Sequence, residues 1–425
     1  MLINLKINNF KSYSTESEFS MYAEKIEDLK YSTFEYIKNN KTKKALCSSV
    51  IYGPNASGKS NIIDALAVLK NIIMSGNIRN KTDLALEFLP NINSNKDEPT
   101  TFEIEFYFKE ILYKYYLSIN IGKFLTKSYT RFINKEILYI NDKVFYERNK
   151  QQLSLFLNTS TKKYLNKAVD ENTSHLLENS LVNTELFLVN GFKTISKQLS
   201  QDIISWFERK LEIRDKLNDI SMLPVFDKDI CIDKFSDKIA KESGITGSSI
   251  AYLREEDGDV RLKSIIGNNI IDAEFFESYG TQRIVKLMPA ILMSLTEGSV
   301  LVIDELDVAL HPTVVMNIIN LFHNDEINTN HAQLIFNTHN PIYLNNAIFR
   351  RDEIKFVEKD TESNSSTIYK LSDFGTKGKH SVRNVTNYIK NYFTNRYGAI
   401  MNIDYSDIFK EVLEKKRDED DKKEN

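Results

Sequence analysis

The stretch IYGPNASGKSN, residues 51–61, constrains the fold more than any other part of the chain. It fits the spacing G-x-x-x-x-G-K-[ST], which marks a phosphate-binding loop when a strand precedes it and a helix follows. Residues 46–52, LCSSVIY, are apolar and β-branched and predict a buried strand, and apolar residues recur at helical spacing from Ile62 to Ile73. A chance Gly/Ser turn before a lysine would not require this strand and helix. We therefore predict that the loop binds a nucleotide.

The residue types in this loop suit phosphate chemistry. Glycines let successive backbone N–H groups point at phosphate oxygens, and the helix that follows adds the positive end of its dipole. Lys59 is expected to reach the β- and γ-phosphates, and the Ser60 hydroxyl to ligate Mg²⁺. The predicted nucleotide-binding residues here are Gly53, Asn55, Ser57, Gly58, Lys59, Ser60 and Asn61.

Composition places the chain among ordinary globular proteins. It has 425 residues, of which 41% are hydrophobic and 27% charged. Its formal net charge of −3 argues against a uniformly basic surface that binds nucleic acid. Its two cysteines, Cys47 and Cys231, are far apart, so neither a disulfide framework nor a structural zinc site is indicated. The N-terminal MLINLKINNFKSY alternates like a strand, and no apolar run is long enough to span a bilayer. We expect a cytoplasmic protein without a membrane partner.

A second element completes the expected nucleotide site. The sequence SVLVIDELDVALHP places an apolar strand, residues 299–303, directly before Asp304 and Glu305. This is the Walker B arrangement, in which Asp304 holds Mg²⁺ and Glu305 polarises the attacking water. An acidic helix N-terminus after a strand is the plainer alternative.

A third strand, in AQLIFNTHNP, ends near His339. A lone histidine is more often structural than catalytic. Ligands, however, bind at the carboxyl ends of strands in open α/β sheets, and this position suits a sensor of the γ-phosphate. We therefore count His339 with Lys59 and Glu305 as the candidate catalytic residues.

A further anion site is expected at SYGT, residues 278–281, which begin an apolar-periodic helix just before Walker B. Ser278 and Gly280 at a helix N-terminus suit a phosphate. Two such sites for one nucleotide would be redundant within one protomer. They make sense if Ser278 and Gly280 contact a nucleotide bound to a second protomer.

The order of these motifs resembles an ABC-type ATPase head of the SMC/RecF group. The resemblance implies ATP and Mg²⁺ as ligands, and heads that dimerise around ATP as a homodimer or higher homo-oligomer. Lys59, Ser60, Asp304, Glu305 and His339 would then act in cis, and Ser278 and Gly280 in trans. Residues 308–311 would form the D-loop that touches the other protomer. In the family's signature motif, S-x-G-T, the position of Tyr279 commonly holds a small residue. In addition, no glutamine of this chain is assigned to a Q-loop.

More narrowly, ESYGTQR and NRYGAIMNI are similar to ATPases of prokaryotic anti-phage operons, such as the abortive-infection AbiL type beside an RloB-like partner. This resemblance implies a regulatory ATPase that controls a separate effector, such as a nuclease. Three alternatives stay open. A DNA-binding ATPase of repair or recombination would show a basic groove. A self-contained OLD-like nuclease would need a Toprim-like nuclease domain after His339, where only 86 residues follow (425 − 339). A transporter ATPase is disfavoured by the SMC-like first strand and by the Thr-His pair, residues 338 and 339, that ends the third strand element.

The predicted fold class is α/β, a P-loop NTPase of ABC-ATPase type with a mixed sheet, an antiparallel β lobe and an inserted helical subdomain. The insertion follows from the 245 positions between Lys59 and Asp304 (304 − 59). Antiparallel strands are predicted in residues 101–119 and 137–149. The predicted divisions are 1–152 for the N-terminal part of the head, 153–255 for the helical insertion, 256–405 for the C-terminal part of the head, and 406–425 for a charged tail.

Overall fold

The computed structural model describes most of the chain. The described residues are 1–26, 29–78, 88–95, 97–123, 129–157, 159–167, 169, 173–214, 231–244, 247–254, 260–375, 382, 386–401 and 403–424. The end of the predicted helical run, residues 215–218, lies outside them.

The centre of the fold is a six-stranded sheet. Its strands, in the order β11-β15-β16-β5-β17-β18, are parallel except for the last pair, which is antiparallel. Their bounds are β5 Ser48–Tyr52, β11 Leu211–Arg214, β15 Val300–Ile303, β16 Gln333–Asn337, β17 Ile354–Lys359 and β18 Ser366–Lys370. The predicted P-loop strand and Walker B strand are therefore present, with β16 between them.

The second large sheet is antiparallel and has the order β10-β9-β8-β7-β6-β1-β2. Its strands are β1 Leu2–Asn8, β2 Ser17–Ser20, β6 Thr100–Phe108, β7 Ile111–Asn120, β8 Phe132–Ile140, β9 Lys143–Asn149 and β10 Gln152–Leu155. A two-stranded sheet consists of β3 Thr33–Lys38 and β4 Lys41–Leu46. A three-stranded sheet consists of β12 Ser249–Arg254, β13 Val260–Ile266 and β14 Asn269–Asp272. The predicted antiparallel lobe and mixed sheet are confirmed.

Twelve α-helices are described. They are α1 Lys59–Ser75, α2 Thr159–Lys162, α3 Thr173–Glu178, α4 Phe187–Asn190, α5 Phe192–Ile195, α6 Lys197–Ser205, α7 Cys231–Glu242, α8 Ala273–Phe276, α9 Tyr279–Glu297, α10 Pro312–His323, α11 Tyr388–Phe393 and α12 Ser406–Glu424. A π-helical turn, Trp206–Lys210, follows α6.

The described part of residues 153–255, the predicted helical insertion, contains strands as well as helices. These residues contain α2 to α7, but β11 within the same range pairs in parallel with β15 at the edge of the central sheet. Periodicity missed β11 because four residues that follow directly on a helix are too short to show alternation. Of the residues predicted as a charged tail, 406–424 form the helix α12, and residues 406–416 of this helix are exposed.

Alternate residues of the central strands face two separate hydrophobic cores. Ile51 and Val302 pack with α1 and the antiparallel lobe, whereas Val50 and Leu301 pack with α9, α10 and α11 on the other face. Gln333 joins the two large sheets, because its side-chain amide bonds both the N–H and the C=O of Leu2 and the C=O of Leu46. Among the described residues, we find no helix that combines the length and the apolar character needed to cross a membrane.

Candidate nucleotide-binding site

The strands of the central sheet bring three segments together at one edge. The P-loop follows β5, Asp304 follows β15, and Asn337 ends β16, the strand between them. Because these strands are parallel, their carboxyl ends meet at the same edge, where α/β folds bind ligands.

The P-loop has a backbone that its glycines permit. Gly58 has φ +106, and a Cβ there would lie 2.5 Å from Ser12 Oγ and 2.6 Å from Ser366 Oγ. At Gly53 a Cβ would lie 2.3 Å from the carbonyl oxygen of Val357. Side chains at either position would displace the loop, so its path depends on both glycines.

Residues far away in sequence hold the loop from outside. The Tyr13 hydroxyl donates to the carbonyl of Gly58 at 3.1 Å, and the Ser366 hydroxyl donates to the carbonyl of Ser57 at 2.6 Å. The Asn61 amide donates to Ser12 Oγ at 2.7 Å. The segment after β1 and the strand β18 therefore brace the P-loop.

Lys59 lies inside the loop that it follows. Its Nζ donates to the carbonyl oxygens of Gly53 and Pro54, both at 2.9 Å, and the residue is 5% exposed. Burial lowers the pKa of Lys59 to about 8, although the nearby carboxylates of Asp304 and Glu305 oppose the shift. An ammonium group held in this way is placed to meet phosphate oxygens.

Ser60, Asp304 and Asn337 form a compact polar cluster. Ser60 Oγ donates to Asp304 Oδ1 at 3.0 Å, and Asn337 Nδ2 donates to the same oxygen and contacts Ser60 Oγ at 3.4 Å. Burial raises the pKa of Asp304, while the bonds from Asn337 and Ser60 oppose this. A hydroxyl and a carboxylate at this distance are a donor set that fits Mg²⁺.

Glu305 is held through its backbone, and its side chain is exposed. Its N–H donates to Asn337 Oδ1 at 2.5 Å, and its C=O accepts from Arg283 Nη2 at 2.5 Å. Its φ is +51, a left-handed value that is uncommon for a residue with a side chain. The two bonds fix this backbone conformation and hence the direction in which the side chain leaves the backbone.

His339 follows β16 at the same edge, and its side chain is exposed. Partial burial and the positive charge of Lys59 lower the pKa of His339, against the opposing influence of Glu305, Asp307 and Asp304. The imidazole is therefore in the electrostatic range of the P-loop lysine and of the acidic groups, and the lowered pKa favours its neutral form.

Ser278 and Gly280 lie at the start of α9. Ser278 Oγ accepts from the backbone N–H of Thr281 at 3.1 Å and caps the helix. A Cβ at Gly280 would lie 2.5 Å from the carbonyl oxygen of Ala309, which has φ +58. In the part of the chain that the structure describes, no hydrogen bond links Ser278 or Gly280 to the P-loop, and Tyr279 beside them is 56% exposed.

The structure thus groups most of the predicted site residues and leaves two apart. Lys59, Ser60, Asp304, Glu305 and His339 meet at one edge of the sheet, whereas Ser278 and Gly280 form a separate helix end. Within the loop, Ser57 is buried and its hydroxyl has no hydrogen-bond partner among the described residues, Asn55 is exposed, and Asn61 is half-buried.

Sequence reasoning missed five residues that shape the site. These are Ser12, Tyr13, Arg283, Asn337 and Ser366. Asn337 had a signal, because it is the last residue of a strand predicted to end at the site. The others act through contacts between distant segments, which no local pattern reveals.

The chain matches the family described as "AAA domain, putative AbiEii toxin, Type IV TA system" over residues 48–183 and 190–345. The match includes the P-loop, Ser278, Gly280, Walker B and His339. The comparison with curated proteins returned no match.

Solved structures similar to the chain include heads of SMC proteins. The SMC head domain from Thermotoga maritima is 15% identical, with a TM-score of 0.38, and the match covers 87% of this chain and 98% of that one. The Pyrococcus furiosus Smc head domain with an extended coiled coil, bound to the C-terminal domain of ScpA, is 13% identical, with a TM-score of 0.42 and coverage of 87% and 96%. An SMC head bound to the C-winged helix domain of ScpA is 12% identical, with a TM-score of 0.42 and coverage of 87% and 97%.

Proposed function

The chain belongs to the AAA-domain family that it matches over well more than half of its length, and on that premise we propose that it binds ATP with Mg²⁺ and hydrolyses it. The observation that carries the proposal is the meeting of Lys59 with the Ser60, Asp304 and Asn337 cluster at the carboxyl edge of the central sheet. Binding and hydrolysis are separate parts of it.

For binding, the P-loop backbone would surround the phosphates, and Lys59 Nζ would leave the carbonyls of Gly53 and Pro54 for the β- and γ-phosphate oxygens. This exchange is favourable because a phosphate oxygen carries more charge than a peptide carbonyl. Ser60 and Asp304 would hold Mg²⁺, which supplies charge neutralisation on the phosphates. Asn337 would keep the Asp304 carboxylate turned toward Ser60.

For hydrolysis, Glu305 would orient and polarise the attacking water, and His339 would contact the γ-phosphate. The two bonds to the Glu305 backbone support this role, because they hold the start of its side chain beside Asp304. A neutral imidazole at His339 can donate one hydrogen bond to a phosphate oxygen without adding a full charge.

We further propose that two copies of the chain enclose the nucleotide. Ser278 and Gly280 would face the γ-phosphate bound to the second copy, and residues 308–311 would lie at the same interface. Support comes from α9, which begins at an exposed, serine-capped N-terminus that makes no hydrogen bond to the P-loop among the described residues. Nucleotide binding would then switch the chain between separate and associated states.

The biological role that we propose is that of a cytoplasmic regulatory ATPase of an anti-phage, abortive-infection system, which controls a separate effector such as a nuclease or an RloB-like protein. Its support is the resemblance of ESYGTQR and NRYGAIMNI to such ATPases. The second candidate is an SMC/RecF-like ATPase that binds DNA. Hydrolysis rates measured with and without duplex DNA separate the two, because the second candidate predicts stimulation that weakens as salt rises.

The test of nucleotide binding is a titration of the chain with a fluorescent ATP analogue, with and without Mg²⁺. Lys59→Ala should weaken binding strongly. Lys70→Ala is the matched control, since Lys70 lies on the same helix but its Nζ bonds the carbonyl of Leu211. Equal affinity of Lys59→Ala and wild type, at equal thermal stability, would refute the assignment of the P-loop.

A further inference from the structure

A second cluster of polar side chains lies outside the nucleotide site. It consists of Cys47, His323 and Glu353, which precede β5, end α10 and precede β17, respectively. One ligand atom from each lies within 4.8 Å of the other two, and all three residues are buried. Three separate segments of the chain therefore place a thiol, an imidazole and a carboxylate at one point.

Two distances within the cluster are close to those between the ligands of a metal centre. Glu353 Oε1 lies 3.2 Å from His323 Nε2 and 3.9 Å from Cys47 Sγ. Tetrahedral zinc with its usual bond lengths places such ligand atoms about 3.3–3.8 Å apart. Ser48 Oγ lies 2.9 Å from both Nε2 and Oε1, where it or a water can take the fourth position.

Glu353 places a negative charge at the buried cluster. Its side chain is fully buried, and a buried carboxylate is costly unless it is paired. The guanidinium of Arg350 bonds Asp352 through two nitrogens, at 2.8 and 2.9 Å, while the Arg350 backbone N–H donates to Glu353. A divalent cation at the cluster would add to the positive charges of Arg350 and Lys355, which already act on Glu353.

We propose that Cys47, His323 and Glu353 bind a structural zinc ion. A thiolate, an imidazole and a carboxylate are the ligand types that zinc takes, and the aromatic rings of Tyr31 and Phe349 pack edge-on against the imidazole and fix its orientation. The ion ties the P-loop strand β5 to α10, which follows Walker B, and to β17.

The zinc site and the nucleotide site lie at opposite ends of the same strand. Cys47 and Ser48 stand at the start of β5 and Gly53 follows its end, so five residues, or about 16 Å, separate them. The ion therefore contributes to stability and takes no part in hydrolysis. The alternative is a metal-free hydrogen-bonded cluster centred on Ser48.

The test is the metal content of the full chain, purified without a polyhistidine tag and measured by inductively coupled plasma mass spectrometry. The proposal predicts about one zinc per chain in the wild type. Cys47→Ser, a nearly isosteric change, should reduce the zinc content to background. Cys231→Ser, which removes the other cysteine of the sequence, should retain it.

Two further measurements keep the test independent of how well Cys47→Ser folds. Cobalt substituted into the wild-type chain should give a thiolate-to-cobalt charge-transfer absorption, and removal of zinc by a chelator should lower Tm, with recovery on adding zinc. A metal-free cluster predicts instead a wild-type chain without zinc, no charge-transfer absorption and a Tm that zinc does not change. That result would overturn the proposal and leave the nucleotide site unaffected.

Discussion

Asn337 is the residue whose replacement tests the geometry of the nucleotide site in most detail. Its side chain is buried and makes two well-directed bonds, one from Nδ2 to the Asp304 carboxylate and one to Oδ1 from the N–H of Glu305. A bond to a charged group contributes about 1.5–3 kcal/mol and a neutral one about 0.5–1.5 kcal/mol. Asn337→Ala should therefore cost at most about 4.5 kcal/mol of unfolding free energy, and about 2 kcal/mol if water reaches the half-buried Asp304.

Asn337→Ala should also weaken Mg²⁺ binding and slow ATP hydrolysis, beyond its effect on the free energy of unfolding. Loss of a group that orients a metal ligand typically costs about 10–100-fold in metal affinity or activity. We expect a higher half-saturating Mg²⁺ concentration for nucleotide binding and a slower steady-state ATPase, both measured at equal folded fraction. Asn340→Ala is the control, since Asn340 also follows β16 but its Oδ1 accepts from the N–H of Ile342. An unchanged Mg²⁺ requirement in Asn337→Ala would refute the reasoning.

Three further substitutions have defined outcomes. Glu305→Gln should keep nucleotide affinity and slow hydrolysis by about 10²–10⁴-fold, as judged by phosphate release, and a wild-type rate would move the catalytic role elsewhere. Lys59→Met should raise the nucleotide-free unfolding free energy at pH 7 by about 1–3 kcal/mol, because the lowered pKa of Lys59, about 8, means that its charge destabilises the folded state. This gain should be fully present below pH 8 and fade toward pH 10.4, so a gain that is independent of pH in denaturant titrations would contradict it. Gly280→Ala should cost about 1–3 kcal/mol in the same titrations, because its Cβ would meet the carbonyl of Ala309, and no cost would show that the helix end can shift.

The sequence was most informative where a motif and its flanking elements belong to one continuous segment. The elements β5 and α1 were predicted from the P-loop motif, the apolar residues 46–52 and the helical periodicity after Ser60. The strand β15 was predicted from the apolar run before Asp304. In each case the buried strand leads directly into the polar residues, so local spacing is enough to place them. The site at the carboxyl edge of the sheet follows from three such strands being parallel.

What sequence reasoning missed depends on contacts between distant segments. The Tyr13 hydroxyl bonds the carbonyl of Gly58, 45 positions away, and the Ser366 hydroxyl bonds the carbonyl of Ser57, 309 positions away. The residues around Tyr13 and Ser366 in the sequence do not indicate these partners. The same applies to β11, whose burial comes from pairing with β15 and not from its own alternation. The two cysteines were judged by their spacing alone, which did not indicate a zinc site, whereas the fold brings Cys47 to His323 and Glu353.

The proposed role of Ser278 and Gly280 in a second protomer is the central claim about function, and mixing two inactive variants tests it most directly. Lys59→Ala spoils the P-loop side of every site in a homodimer, and Ser278→Arg spoils the opposing side by placing a bulky cation at the γ-phosphate position. A heterodimer of the two retains one site in which both residues are native. The account predicts that each variant alone lacks ATPase activity and that the mixture recovers part of it. If mass measurements show that subunits have exchanged and no activity returns, Ser278 acts only as the cap of α9, and the two-protomer site is wrong.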